Sequence, residues 1–144
     1  MFARMTVIAL ATFLLAADAP KEDAVQQEVQ KLQGTWKVVK FEAGGMDQTA
    51  NGPKEIVVKG DEFRGLAPNA KFTIDPSKEP KALDLVDKDD AKKVFPLIYE
   101  LSGDELKIAF PLVAAGKGEQ PKRPDGFQTK DKPVALITAK REKP

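Results

Sequence analysis

At Gly34 the hydrophobic period of this chain changes from that of a helix to that of a strand. Ahead of it, Val25, Val29 and Leu32 stand at i, i+4 and i+7, while Glu22, Gln26, Gln27 and Lys31 take the other side. That spacing predicts one short helix over about 21–33, and Gly34 sits where helices commonly stop. The apolar stripe is narrow, so the helix is expected to act as a small lid or plug. Beyond Gly34 the period is two. Trp36-Lys37-Val38-Val39-Lys40-Phe41 reads as a first strand, Ile56 and Val58 share a face of a second, and Phe63 starts a third. Phe72 and Ile74, Leu83 and Leu85, Phe95 to Leu101, and Leu106 to Phe110 alternate in the same way, with Pro96, Ile98 and Glu100 opposite. Gln128 is read as part of a short strand and Val134–Arg141 as the last. Alternation of this kind buries one face and wets the other, which calls for antiparallel pairing.

The turns agree with that reading. Gly60-Asp61 and Gly103-Asp104 each separate two strand runs, and Gly44-Gly45, Asp75-Pro76-Ser77 and Arg123-Pro124-Asp125-Gly126 are turn clusters. The irregular stretch from Leu112 to Lys122 is expected as a loop at one end. A meander of eight or nine short strands removes its edges best by closing. The fold class expected is all-β: a closed antiparallel up-and-down barrel of about eight strands with a short N-terminal helix. Phe72, Ile74, Leu83, Leu85, Leu97, Tyr99, Leu106, Ile108 and Phe110 share the parity of their strands and are expected inside it.

Residues 1–19 have the layout of a secretory signal peptide. Arg4 supplies a positive start, Met5 to Ala17 is apolar apart from two threonines, and small residues follow. The apolar run is shorter than the ~20 residues that a membrane span needs. Export to the periplasm or the medium is therefore expected, with residues 20–144 as the one domain and no stable membrane span after cleavage.

What the chain lacks narrows its chemistry. It has no His and no Cys, so the commonest neutral-pH base, thiol nucleophiles and thiolate metal sites are all excluded. A net charge of +1 gives no electrostatic argument for nucleic acid or an anionic membrane. The basic pairs Lys92-Lys93 and Lys140-Arg141 have no aromatic residues interleaved. Asp84, Asp87, Asp89 and Asp90 are interleaved with Lys88, Lys92 and Lys93 and lack the order of a calcium loop, so they read as a solvated hairpin end. Gly116-Lys117-Gly118 lacks the rest of a phosphate loop, and Ser77 and Ser102 lie in turns with no His to activate them. No catalytic residue, metal or cofactor is expected.

Gly34-Thr35-Trp36, between a short helix and the first strand, resembles the Gly-x-Trp signature of lipocalins and related calycins. The resemblance implies that Trp36 closes one end of the barrel and that Arg141, at the end of the last strand, packs on it. A wider pattern is similar to a lipocalin-like domain family with many paralogous exported copies in planctomycete bacteria. It comprises Leu32-Gln33-Gly34-Thr35-Trp36-Lys37-Val38-Val39, Pro80 to Leu85, Tyr99 to Ile108, Arg123-Pro124 and Lys140 to Lys143. Phe95-Pro96-Leu97-Ile98 departs from it where a glycine is expected. The resemblance brings a fold and an exported habit but no catalytic residues.

Two functions fit these expectations. One is a binding protein for a small hydrophobic or amphipathic molecule, with Phe72, Leu97, Tyr99, Ile108 and Phe110 lining the interior and Gly34, Trp36 and Arg141 supporting the fold. The other is a structural or interaction domain with a filled core and no small-molecule ligand. The sequence names neither a ligand nor a protein partner.

Overall fold

The computed structural model describes residues 22–67, 69–112 and 121–143. The signal segment at 1–19 and most of the loop expected at 112–122 lie outside them. Helix α1 spans Glu22–Leu32. Nine strands follow: β1 Gly34–Ala43, β2 Met46–Asp47, β3 Glu55–Lys59, β4 Glu62–Arg64, β5 Ala70–Asp75, β6 Lys81–Asp87, β7 Val94–Ser102, β8 Glu105–Pro111 and β9 Val134–Arg141. Each of β3 to β9 pairs antiparallel with its neighbour in the chain, β3 pairs with β1, and β1 pairs with β9. Eight strands thus close into an up-and-down barrel, and β2 is an extra strand on the end of β1.

The seam between β1 and β9 runs from Trp36 opposite Arg141 to Ala43 opposite Ala135, with a bulge between Val38 and Lys40. The bulge decides which way the second half of β1 faces. Trp36 and Val38 point inward, so unbroken alternation would send Lys40 into the core and Phe41 outside. One extra residue reverses the parity. Val39, 48% exposed, and Lys40 both face outward, and Phe41 packs on the core.

Inside, one contiguous buried cluster runs from Leu32 and Trp36 through Ile56, Phe63, Phe72, Leu83, Leu97, Tyr99 and Ile108 to Ile137. The side chains assigned to the interior by parity all face it; Phe110 does so while only partly buried.

The outer face differs from expectation in one region. Ile98 and Ala109 lie outside the barrel wall, yet both are buried, together with Val134. Phe127, from the segment 121–133, and Leu136 of β9 pack against the patch. The strand expected at Gln128 does not form, because this stretch packs through side chains and carries turns and bends. Arg123, on the same segment, donates from Nη1 to the carbonyl oxygens of Leu97 (2.7 Å) and Leu83 (3.4 Å) and from Nη2 to Asp84 Oδ1 (2.5 Å). Asp84 stands opposite Pro96, which has no N–H for the ladder. The guanidinium thus brings donors to the place where β7 is short of one.

Candidate binding site at the two ends of the barrel

The barrel has a sealed end and an aromatic end. At the sealed end α1 lies across the interior. Leu32 is fully buried, and Val25 and Val29 pack on the core from one stripe of the helix. The final turn of the helix has carbonyl groups with no partner of its own. Trp36 Nε1 donates to Leu32 O (2.9 Å), and Arg141 donates to Gln33 O (2.7 Å) and Lys31 O (2.5 Å). The guanidinium also lies 4.2 Å from the Trp36 ring centre. Gly34 allows this approach: its φ is +122°, and a Cβ would stand 3.3 Å from Arg141 Nη1. The Gln33 amide pairs in both directions with Gly60, fixing the helix end to the β3–β4 turn.

One further group at this end was not singled out by the sequence. Glu28 is 7% exposed. Its Oε1 accepts from Lys81 Nζ (2.8 Å) and from the Tyr99 hydroxyl (3.3 Å). Burial, and then the neighbouring Glu28 carboxylate, push the Tyr99 hydroxyl above its ordinary pKa and keep it a donor. A signal was present: Glu28 falls between Val25 and Val29, on the apolar stripe rather than opposite it.

At the other end, Phe41 from β1, Phe95 from β7 and Phe110 from β8 meet. The Phe110 ring stacks on Phe41 at 6.2 Å and tilts against Phe95 at 6.1 Å. All three are partly exposed and continuous with the core, as are Leu66 and Ala67 from the β4–β5 connection. Gly52 backs the Phe41 ring so closely that a Cβ would run into it. Leu112, just past β8, is 40% exposed.

The five interior residues expected to line a site divide between these ends. Phe72, Leu97, Tyr99 and Ile108 are buried members of the central cluster, with Phe72 edge-on to Phe63 at 5.9 Å. Tyr99 reaches the sealed end, where Glu28 occupies its hydroxyl. Phe110 alone joins the aromatic end.

The acidic residues find local roles. Asp87 Oδ1 accepts from the N–H groups of Asp89 and Asp90, Asp90 Oδ1 accepts from Lys92 N–H, and Asp89 accepts from the Asn69 amide. They shape their own turn. Among the described residues no three acidic side chains are placed to hold a metal ion, and no helix is long and apolar enough to cross a membrane. Two grooves open on the outside of the wall. One of about 560 Å³ runs along Phe127–Asp131 beside Glu42. The other, of about 480 Å³, runs along Pro76, Glu79, Pro80, Glu100 and Leu101 and is bordered by Lys81 and Tyr99, the two partners of Glu28. Compared with protein-family models, curated proteins and solved structures, the chain matches none.

Proposed function

We propose that this protein is an exported, lipocalin-like binding protein that takes a small hydrophobic or amphipathic molecule at its aromatic end. The observation that carries this reading is the Phe41–Phe110–Phe95 cluster, partly exposed and continuous with the apolar core. Aromatic surface left partly wet at the mouth of a barrel is favourable to cover, and offset rings accept a flat or chain-like apolar group. A molecule seated there is neutral or weakly charged, since the contacts it meets are apolar. No catalytic role is part of this reading.

The test is a titration of the mature protein with an environment-sensitive apolar dye, followed by dye fluorescence. Saturable binding that weakens about tenfold or more in Phe110→Ala is expected, in line with losing a central aromatic contact. The second reading, an interaction domain with a filled core, draws on the contiguous packing from Phe63 to Ile137. Absence of dye binding by a well-folded protein, with a crystal structure lacking any internal void, would favour it over the first.

A further inference from the structure

Among the described residues, Glu28 is the one charged side chain that is buried. Its surroundings on the barrel are both donors. Lys81 reaches it from β6 at 2.8 Å and Tyr99 from β7 at 3.3 Å. Lys81 Nζ also stands 5.9 Å over the Tyr99 ring. An ammonium and a phenol side by side form a cradle for a carboxylate. The acceptor comes from the helix. On its own helix, Lys31 lies 3.8 Å from the second carboxylate oxygen and is mostly exposed.

The two ends of α1 are held very differently. Its C-terminal end is fixed by Trp36, by both Arg141 donors and by Gln33. Its first two turns are held by the Glu28 contact and by the half-buried Val25 and Val29. Among the described residues the helix therefore has a firm pivot near Gly34 and one buried polar latch. The 480 Å³ groove is bordered by both donor residues of that latch, with Pro76, Pro80 and Leu101 as apolar lining and Lys78, Glu79 and Glu100 as charged lining.

We propose that α1 is a lid latched by its own carboxylate, and that a carboxylic acid with a short apolar tail displaces Glu28 from Lys81 and Tyr99 and releases the first two turns of the helix. The tail lies along the groove while the head takes the position of Glu28. Being tethered, Glu28 competes at high effective concentration and sets the threshold for the incoming acid. This site is at the opposite end from Phe110 and stands or falls separately from the reading above.

Decanoate is the probe, titrated into the mature protein by calorimetry. Removing the tethered competitor in Glu28→Gln should tighten decanoate binding by about tenfold or more, because the latched state no longer subtracts from the competent one. Adding Lys81→Met to that variant should abolish the gain. In the wild type, saturating decanoate should raise hydrogen exchange at residues 23–29 and leave Leu106 and Ile108 in β8 unchanged. Neither decanol nor acetate should reproduce this, since one lacks the head and the other the tail. Should Glu28→Gln fail to fold, the wild-type exchange experiment decides alone. Unchanged exchange at 23–29, or decanoate binding that survives Lys81→Met but is lost in Phe110→Ala, would overturn the proposal. The latter result would place the acid at the aromatic end.

Discussion

The Arg141 guanidinium lies 4.2 Å from the centre of the Trp36 ring, and the two residues face each other across the β1–β9 seam. The same guanidinium caps the helix by donating to Lys31 O and Gln33 O. Three parts of the fold converge there: the first strand, the last strand and the plug. Cations are also favoured at a helix C-terminus by the dipole. Trp36→Ala should cost about 3–5 kcal/mol, the usual range for deleting a buried aromatic. Arg141→Ala should cost about 2–3 kcal/mol, combining charged hydrogen bonds with the loss of stacking. Chemical denaturation checks both, and a wild-type midpoint for Trp36→Ala would contradict its place in the core.

In the first half of β1 neighbouring valines are unequal, Val38 packing on the core and Val39 facing outward. Val39→Thr should change stability by less than about 0.5 kcal/mol, as an exposed substitution does. Val38→Thr places a hydroxyl against the core and should cost about 1–3 kcal/mol. Equal effects in denaturation would contradict the inward facing of Val38 and the outward facing of Val39.

Arg123 should matter more than its half-exposed position suggests. Arg123→Met leaves the Leu97 and Asp84 acceptors without their donor, at a cost of about 1–3 kcal/mol. Hydrogen exchange should rise first in β6 and β7. Protection unchanged around Pro96 would show that the guanidinium does not brace that pair.

One pH effect has a clear sign. The Lys88 ammonium first, and the Arg64 guanidinium second, hold the Glu62 carboxyl down to about 2 from an ordinary 4.5. A carboxyl lowered on folding adds stability above its unfolded value, and that contribution fades as pH falls from 4.5 towards 2. The group is exposed, so the effect is modest and screened by salt. Denaturation midpoints of wild type and Glu62→Gln should converge across this window. A constant difference between them would contradict the assignment.

Removal of the N-terminal segment is a separate expectation. The intact mass of the protein recovered from the cell envelope or medium should correspond to a chain beginning near Asp18 or Pro20. A full-length mass, or recovery only from the cytosol, would count against export.

The barrel was legible because its strands alternate cleanly. Leu83, Leu97, Tyr99 and Ile108 share a parity that a one-residue slip would ruin, and Trp36 follows a helix stop directly. Three features were not legible, each for a physical reason. A bulge inserts a residue without changing composition, so unbroken alternation reads Lys40 as inward and Phe41 as outward. Arg123 acts across 39 residues on Asp84, a distance that periodicity does not report. The outer burial of Ile98 depends on Phe127 folding back, and only a tertiary contact makes that face dry. Glu28 was legible in part, since a carboxylate on an apolar stripe implies a buried partner.

The closure of β1 on β9 has a consequence for how the chain acquires this shape. During synthesis β1 emerges long before its partner β9. Until Val134–Arg141 is free, β1 and β8 each carry an open edge with unpaired N–H and C=O groups. Pairing so distant in sequence is slow to find, because loop closure must precede any reward. The nascent chain therefore spends its vulnerable interval as an unsealed sheet. A truncation that removes the end of β9 would leave a protein that self-associates through its edges rather than a slightly smaller barrel.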